Sequence, residues 1–347
     1  MVSLRLSPRV SIIIPCRNEA GYIAGCLDSI LASDFPQDQI EILVADGRST
    51  DGTGELLARY CSRHSSIRLI DNAGGTTPAG LNLAIRASSG PIVIRMDVHV
   101  VYPPDYISRL VQALEETGAD NVGCVLETVP ADDTPMARAI AIGMSHRFGV
   151  GNSHFRVGAT ERREVDTVPF GCFRREIFSR IGLFDEELIR NQDDEFNFRV
   201  ITRGGRVLLL PDVSCRYFAR RTLSQLARMY YQYGYFKPLV ARKIGRIMTV
   251  RQLVPALLLL GLAISALGAL WRLEAAVALA LILAAYGSLV LATALVAVPR
   301  HGLRCATALA AVLPTLHFSY GAGFLLGIWD HLLARSAPRL SALGLSR

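Results

Sequence analysis

The stretch Arg95-Met-Asp97-Val-His99-Val-Val-Tyr102, which follows the apolar run Pro91-Ile-Val-Ile94, decides how the rest of the chain is interpreted. The apolar run predicts a buried strand that ends here. Asp97 and His99 are two residues apart, so in an extended backbone their side chains point the same way. A carboxylate and an imidazole placed together can hold a divalent cation. Taken alone, the motif also fits a strand that ends in two solvated polar residues.

Short apolar strands alternate with amphipathic segments on the amino-terminal side of this stretch. The predicted strands are Val10–Pro15, Ile40–Ala45, Ile67–Ile70 and Pro91–Met96. Apolar residues at helical spacing from Ile23 to Leu31 predict a first helix, and Gly54–Arg63 and Thr77–Ala87 predict two more. This alternation predicts an α/β fold, with a mixed, mostly parallel sheet that is covered by helices on both faces.

Polar residues are concentrated at the predicted carboxyl ends of these strands, where sheets of this kind bind their ligands. They are Pro15, Arg17 and Glu19 after the first strand, Asp46, Ser49 and Asp51 after the second, and Asp97 and His99 after the fourth. Each group alone is also typical of an ordinary turn. Their joint placement at one edge of the sheet predicts a ligand site there.

The carboxyl-terminal part of the chain is strongly apolar. Of the 347 residues 51% are hydrophobic, and the excess lies beyond Leu253. Residues 253–271 and 275–298 contain no charged residue, and each reaches the length of about 20 residues that spans a bilayer as a helix. A third apolar stretch, residues 305–329, contains Pro314 and a predicted break at Gly321-Ala-Gly323. We therefore expect two membrane spans, followed by a re-entrant or spanning segment.

The formal net charge of +7 is concentrated beside the apolar stretches. Basic residues between Arg242 and Arg251 precede the first predicted span, and Arg300, His301 and Arg304 follow the second. Because positive flanks stay on the cytoplasmic side, both ends of this pair are expected there, where they would meet anionic membrane lipids. No interleaved aromatic and basic pattern indicates nucleic-acid binding.

The amino terminus and the cysteines also bear on location. The first residues contain no apolar stretch long enough for a signal peptide, so the front domain is expected to stay in the cytoplasm. The seven cysteines are scattered and lack CxxC spacing, which favours reduced thiols over a zinc site or a disulfide framework.

Four motifs together resemble those of the inverting family 2 glycosyltransferases of the GT-A fold, in the membrane-bound branch that makes exopolysaccharides. The motifs are Val10-Ser-Ile-Ile-Ile-Pro-Cys-Arg-Asn-Glu19, Asp46-Gly-Arg-Ser-Thr-Asp-Gly-Thr53, Asp97-Val-His99 and Asn191-Gln-Asp-Asp-Glu195. The resemblance covers about residues 8 to 240 and extends to the tail through residues 317–323. It implies a UDP-sugar donor that binds at the first three motifs.

The resemblance also implies roles for individual residues at the donor site. Pro15, Arg17 and Glu19 would lie beside the uridine, and Asp46 would accept from the uracil ring. Ser49 and Asp51 of the same motif would also bind the nucleotide sugar. Asp97 and His99 stand where the family usually has an Asp-x-Asp pair that holds a metal ion. Because imidazole suits manganese better than magnesium, Mn²⁺ is favoured and Mg²⁺ remains an alternative.

The fourth motif implies the catalytic base. Asp193 occupies the position of the base that deprotonates the acceptor hydroxyl, and Gln192 departs from the usual Glu beside it. The other interpretation is a helix N-terminus whose acidic residues complement the helix dipole. An arginine of the following amphipathic segment often meets the diphosphate in this family, and Arg220 and Arg221 are both candidates. Candidate acceptor contacts are Arg156, Gly171, Asp194 and His317.

These observations predict a catalytic domain over residues 1–215, amphipathic interface helices over 216–251, a membrane region over 252–335 and a polar tail over 336–347. The expected activity moves a hexose, with glucose favoured, from a UDP-sugar to a membrane-held, polyprenyl-diphosphate-linked saccharide during exopolysaccharide synthesis. The expected location is the bacterial inner membrane, with several spans. The alternatives are transfer directly onto polyprenyl phosphate, or a catalytically silent membrane scaffold that binds nucleotide sugars.

Overall fold

A computed structural model describes residues 9–247 and 249–338. The chain divides into two compact units, each built from two pieces of sequence. The first unit contains Met1–Glu127 and Gly158–Tyr217, and the second contains Thr128–Val157 and Phe218–Arg347. Most of the predicted polar tail, residues 339–347, and the amino-terminal residues 1–8 lie outside the described residues.

A mixed β-sheet forms the framework of the first unit. In the described part of the chain its strands are β1 (Val10–Cys16), β2 (Ile40–Asp46), β3 (Ile67–Asp71), β4 (Ile92–Arg95), β5 (Val100–Val101), β6 (Asn121–Val129), β7 (Arg163–Glu164), β8 (Cys172–Arg174) and β9 (Val207–Phe218). Their order is β3-β2-β1-β4-β8-β6-β9-β5, and β7 pairs with β9. The first four strands of this order run parallel to one another, and β8 pairs antiparallel with β4 and β6. The predicted α/β fold with a mixed sheet is confirmed.

Helices of the first unit lie between these strands. They are α1 (Ile23–Leu31), α2 (Thr53–Arg63), α3 (Thr77–Ala87) and α4 (Tyr106–Thr117). The second unit contributes α5 (Pro135–Ser145) and two single turns, α6 (Arg147–Val150) and α7 (His154–Val157). The chain then returns to the first unit through α8 (Glu176–Ile181) and α9 (Gln192–Thr202). The remaining helices belong to the second unit: α10 (Leu223–Ile244), α11 (Val254–Gly268), α12 (Leu273–His301) and α13 (Leu303–Gly327).

The continuous apolar run of β1 explains its central position. Ile12, Ile13 and Ile14 are all completely buried, as expected for a parallel strand with both of its faces covered. The last residue of β1, Cys16, pairs with Asp46, the last residue of β2. These two strands therefore end side by side, so the loops that follow them meet at one edge of the sheet.

Two predicted segments have different boundaries in the structure. The last strand continues to Phe218, and the helix that was expected to begin at Arg216 begins at Leu223. The reason is pairing: Arg216 and Tyr217 stand opposite Val101 and Val100 of β5. The segment between Ser145 and Val168 contains α6, α7 and β7.

Two helices of the second unit are long and apolar enough, among the described residues, to cross a membrane. One is α12, with 29 residues, and the other is α13 together with the π-helical turn that follows it, with 31 residues from Leu303 to Leu333. The first predicted span corresponds to α11, which has only 15 residues. Leu281, Leu291 and Val296 of α12 are exposed, which is the pattern expected for a lipid-facing helix. These helices indicate membrane association.

Helix α13 passes through Gly321 and Gly323 without the break that the sequence predicted. These glycines allow close packing instead. A Cβ at Gly323 would lie 2.0 Å from the carbonyl oxygen of Tyr231 in α10, and a Cβ at Gly234 of α10 would lie 2.0 Å from the carbonyl oxygen of Tyr320. The backbones of α10 and α13 therefore approach each other too closely for any side chain at these points.

Candidate active site

Hydrogen bonds join the loops that follow β1 and β2. The backbone N–H of Asn18 donates to Ser49 Oγ at 2.8 Å, and Ser49 Oγ donates in turn to Asp46 Oδ1 at 2.5 Å. The backbone N–H of Thr50 donates to Asn18 Oδ1 at 2.8 Å. Asn18 has a φ of 55°, a left-handed conformation that asparagine tolerates better than most residues. Asp46 and Ser49 are thus held in one network at the edge where the sequence predicted a nucleotide.

Asp51 supports the same pair of loops. It accepts hydrogen bonds from the backbone N–H groups of Ala20 and Thr53, both at 3.1 Å, and from Thr53 Oγ1 at 2.5 Å. Burial raises the pKa of Asp51, but these hydrogen bonds outweigh it and lower the pKa below its ordinary value. Asp51 therefore holds the loops after β1 and β2 in position relative to each other.

Arg17 and Pro15 complete the predicted nucleotide side. Pro15 pairs with Ala45 within the sheet, and Arg17 is exposed just beyond the strand end. The side chain of Arg17 runs over Gly47, where an added Cβ would lie 3.1 Å from it, and its Nη1 donates to the carbonyl oxygen of Gly75 at 3.3 Å. Arg17 therefore presents its charge near the loop edge.

The predicted metal pair is brought together with Glu19. His99 Nδ1 lies 3.2 Å from Asp97 Oδ1, and His99 Nε2 lies 3.1 Å from Glu19 Oε2. The backbone N–H of Asp97 donates to the hydroxyl of Tyr102 at 2.7 Å, which fixes the turn after β4. The ring of Tyr22 packs against that of His99, with 4.9 Å between the ring centroids.

Charges within this cluster stabilise one another. Burial raises the pKa of Asp97, but the hydrogen bond and charge of His99 and the charge of Arg95 bring the pKa well below its ordinary value. Burial lowers the pKa of His99, but its contacts with Asp97 and Glu19 give a net rise. The cluster therefore favours the ionised carboxylate of Asp97.

Asp97 and His99 fit a divalent cation, because they place one oxygen donor and one nitrogen donor side by side at the sheet edge. In the ranges that the structure describes, no group of three or more His, Cys, Asp or Glu side chains could hold a metal ion by itself. The remaining ligands would come from a bound diphosphate and water, as is usual for cations that act on phosphates.

Asp193, the predicted base, lies at the start of α9 and forms an ion pair with the buried Arg95 of β4. The side chain of Arg95 is 4% exposed and that of Asp193 is 24% exposed. The guanidinium group lies over the ring of Phe170, 5.4 Å from its centroid. The backbone N–H of Arg95 also donates to the carbonyl oxygen of Gly171 at 3.0 Å. One arginine thus joins the strand that leads to Asp97 and the helix that begins beside Asp193.

Burial raises the pKa of Asp193, and the charge of Arg95 opposes this rise without cancelling it. The result is a carboxylate with a pKa above its ordinary value, which makes it a stronger base. The sequence analysis missed Arg95. The sequence contained a signal for it, because Arg95, Asp97 and His99 are each two residues apart. In an extended backbone their side chains would therefore point the same way.

Other residues near the start of α9 have structural partners. Glu195 is paired with Arg199, whose Nη2 lies 2.6 Å from Glu195 Oε2. Gln192 is buried, and Asp194 is half-buried next to the base. At Gly171, an added Cβ would lie 2.1 Å from Asn121 Oδ1, so close packing is sufficient to explain this glycine.

The other predicted site residues, His317, Arg156, Arg220 and Arg221, belong to the second unit. His317 lies in α13, where Nε2 is 2.8 Å from the carbonyl oxygen of Phe148 and Nδ1 is 2.9 Å from the hydroxyl of Tyr286. Because a carbonyl only accepts, Nε2 carries the proton. Both ring nitrogens are therefore engaged within this unit.

The arginines of the second unit have contacts of their own. Arg221 Nε lies 2.9 Å from Asp132 Oδ2, and the guanidinium group of Arg156 lies over the ring of Phe155. Arg220 is half-buried just before α10. These contacts do not distinguish Arg220 from Arg221 as a partner for a diphosphate.

Comparisons with known proteins identify relatives of this chain. Residues 11–182 match the family described as Glycosyl transferase family 2. The chain is 30% identical over 246 residues to the succinoglycan biosynthesis protein ExoA of Rhizobium meliloti (strain 1021). The aligned region covers 70% of this chain and 73% of that protein.

A second relative is the dolichyl N-acetyl-alpha-D-glucosaminyl phosphate 3-beta-D-2,3-diacetamido-2,3-dideoxy-beta-D-glucuronosyltransferase of Methanococcus voltae. It is 26% identical over 242 residues, which is 67% of this chain and 74% of that protein. Among solved structures, the mannosyltransferase PcManGT from Pyrobaculum calidifontis, in complex with GDP-Man and Mn²⁺, is similar with a TM-score of 0.61 at 23% identity. The likeness covers 94% of this chain and 88% of that one, and it shows a shared fold.

Proposed function

Because the chain belongs to glycosyl transferase family 2, we propose that it is an inverting, metal-dependent hexosyltransferase with a GT-A catalytic domain. The donor is a UDP-sugar, with glucose as the favoured sugar. The acceptor is a membrane-held saccharide linked to polyprenyl diphosphate, and the product belongs to exopolysaccharide synthesis. The relation to a succinoglycan biosynthesis protein and to an enzyme with a dolichyl-linked substrate supports this choice of acceptor.

One observation carries the proposal: the candidate base and the candidate metal ligands are joined through a single buried residue. Arg95 pairs with Asp193 and is two residues from Asp97, which contacts His99. A donor held at Asp97 and His99 would therefore have a carboxylate with a raised pKa close to its sugar. An in-line displacement requires the base and the leaving group to flank the anomeric carbon, and a site that contains both can meet this requirement.

In the proposed reaction Asp193 takes the proton of the acceptor hydroxyl as its oxygen forms a bond to the anomeric carbon of the donor. The bond between that carbon and the diphosphate oxygen breaks, and the nucleoside diphosphate leaves with the electron pair. Attack from the side opposite the leaving group inverts the anomeric centre. One carboxylate is sufficient for this step because the leaving group needs no proton from the protein.

Asp97 and His99 would hold Mn²⁺, with Mg²⁺ as the alternative, and the cation would offset the negative charge of the departing diphosphate. Glu19 orients His99 from its other ring nitrogen, a role that outer carboxylates commonly have around metal-bound histidine. Asp46 and Ser49, held together by their hydrogen bond, face the base and ribose of the nucleotide in this proposal.

We place the enzyme at the bacterial inner membrane as a multi-pass protein whose catalytic domain is cytoplasmic. Two apolar helices support association with the bilayer. The basic residues Arg242, Lys243 and Arg246 at the end of α10 support a cytoplasmic face, because such residues stay on that side and attract anionic lipids.

The test is release of nucleoside diphosphate by the protein in lipid nanodiscs with bacterial lipid extract. The donors are a panel of UDP-hexoses and GDP-mannose, and each is measured with Mn²⁺ and with EDTA. We expect release from a UDP-hexose that requires both Mn²⁺ and the lipid extract. Asp193→Asn should lower the rate by about 100- to 10,000-fold while donor binding is retained.

Asp38→Asn is the matched control, because Asp38 is an exposed carboxylate in a short 3₁₀ helix of the same unit. It should keep the rate of the unaltered protein. Release only from GDP-mannose would contradict the UDP assignment. Nucleotide binding without release from any donor would support a catalytically silent scaffold. Transfer of the sugar to polyprenyl phosphate alone would support the alternative in which the enzyme loads the sugar directly onto that lipid.

A further inference from the structure

Two arginines of the first unit, Arg95, which is buried, and Arg199, which is half-buried, have similar surroundings but different partners. Arg199 in α9 pairs with Glu195 and lies over Phe196, 5.2 Å from the ring centroid. Arg95 in β4 pairs with Asp193 and lies over Phe170, 5.4 Å from the ring centroid. Arg199 pairs with a carboxylate of its own helix, whereas Arg95 pairs with the candidate base.

Arg199 is a structural clamp. Its Nη1 donates to the carbonyl oxygens of Ile181 and Leu183 at 2.7 and 2.9 Å, and its Nε and Nη2 donate to Glu195. These hydrogen bonds tie the end of α8 to α9. The guanidinium group of Arg199 is therefore bound by the carboxylate of Glu195, one helical turn away, and by two backbone carbonyl groups.

Arg95 is held differently. Its Nε has no hydrogen-bond partner among the described residues, although the side chain is almost completely buried. The guanidinium group pairs with Asp193, its charge also acts on Asp97, and the ring of Phe170 supports it from the side. A buried charge is costly unless it is paired, so this pairing fixes the position of both groups.

The backbone beside Arg95 is also unusual. Phe170 has a φ of 53°, a left-handed conformation that is rare for a bulky residue. This conformation presents its ring to Arg95 from the turn before β8, and the next residue, Gly171, accepts the backbone hydrogen bond of Arg95. Strained residues of this kind are often found where a site must be held in one geometry.

We propose that Arg95 is a positioning residue for the reaction: its guanidinium group holds the carboxylate of Asp193 at the sheet edge, in the orientation needed to accept the proton of the acceptor. Arg95 acts through Asp193 and makes no contact with the donor. This inference rests on the proposed function, because it takes Asp193 as the base.

The test is a double-mutant cycle measured as single-turnover transfer, with enzyme in excess over a radiolabelled donor so that slow rates are visible. Its corners are the unaltered protein, Arg95→Met, Asp193→Asn and the double variant. We expect Arg95→Met to lower the rate on the order of 100-fold, with the affinity for donor and Mn²⁺ changed by less than about threefold. In the double variant the rate should be no lower than in Asp193→Asn alone, because both changes remove the same function.

Arg95→Lys covers the case in which Arg95→Met does not fold. A lysine keeps a cation near Asp193 but lacks the planar group that stacks on Phe170 and forms a fork with a carboxylate. We expect Arg95→Lys to fold and to have a rate between those of the unaltered protein and Asp193→Asn. Combined with Asp193→Asn, it should lower the rate no further than Asp193→Asn does alone.

Arg199→Met is the matched control. It should lower the thermal unfolding temperature while the single-turnover rate stays within about threefold of the unaltered protein, because its partners are structural. Arg95 variants that lose stability but keep the rate would overturn the inference. So would a weaker donor affinity combined with an effect that adds to that of Asp193→Asn, since Arg95 would then bind the donor.

Failure of this inference and failure of the proposed function give different results. Loss of transfer in Asp193→Asn with a normal rate in Arg95→Met and Arg95→Lys overturns only the role of Arg95. Absence of transfer by the unaltered protein with every donor overturns the proposed function, and the role of Arg95 with it.

Discussion

The Nε2 atom of His99 lies 3.1 Å from a carboxylate oxygen of Glu19, a residue that the motif resemblance assigned to the nucleotide. The other ring nitrogen of His99 faces Asp97. Glu19 is buried, and its own backbone N–H donates to Thr53 Oγ1 at 2.7 Å, so its position is fixed by the neighbouring loop. The loops after β1 and β2 therefore set the orientation of the imidazole that follows β4.

Replacing Glu19 with glutamine tests this relationship. We expect Mn²⁺ to bind about 10- to 100-fold more weakly in the presence of UDP, because the imidazole loses the carboxylate that orients it and raises its basicity. Calorimetric titration of Mn²⁺ into the UDP complex measures the change. Glu55→Gln is the control, because Glu55 is exposed in the first turn of α2. An unchanged Mn²⁺ affinity with weakened UDP binding would instead assign Glu19 to the nucleotide.

Replacing His99 with aspartate restores the Asp-x-Asp pair that is usual in the family. Mg²⁺ prefers oxygen ligands, whereas imidazole suits Mn²⁺, so the ratio of the transfer rate with Mg²⁺ to that with Mn²⁺ should rise several-fold. Rates at saturating metal concentrations measure this ratio. The control is His64→Asp, at the half-buried residue that caps the end of α2, which should leave the ratio unchanged. The same ratio in both variants would contradict the assignment of His99 as a metal ligand.

The parallel half of the sheet and its polar strand ends could be predicted because each depends on local pattern. Ile12 to Ile14 form an apolar run that only a doubly covered strand would bury, and the polar residues follow at its end. The ion pair of Arg95 with Asp193 could not be predicted in the same way. It joins residues almost a hundred positions apart, and only the position of α9 against β4 brings them into contact.

The errors in the second half of the chain have a similar cause. Arg216 has no strand preference of its own, although Tyr217 does, and pairing with β5 extends the strand through both residues. Gly321 and Gly323 indicated a break because glycine weakens an isolated helix. Their role becomes visible only when α10 is packed against them.

The activity should be lost as the pH falls through the pKa of Asp193, because only the ionised carboxylate accepts the proton. Burial raises that pKa, Arg95 opposes the rise, and the negative charges of Asp194 and Asp97 add to it. Asp194→Asn removes one of these charges, so it should lower the pKa and move the acidic limb of the rate profile to lower pH. The profile of kcat against pH measures the shift, and Asp38→Asn serves as the control. A shift to higher pH would contradict the position of Asp194 beside the base.

Close packing between α10 and α13 should stabilise the second unit. In Gly323→Ala the added methyl group would lie 2.0 Å from the carbonyl oxygen of Tyr231, so the two helices must separate. Overpacking of this kind costs about 1–3 kcal/mol, and thermal unfolding in nanodiscs should begin at a lower temperature. The control is Gly287→Ala in α12, where an added Cβ meets nothing within 4 Å. It should be neutral or stabilising, because alanine is the better helix former. Equal unfolding temperatures for the two variants would show that the close approach of α10 and α13 contributes nothing to stability.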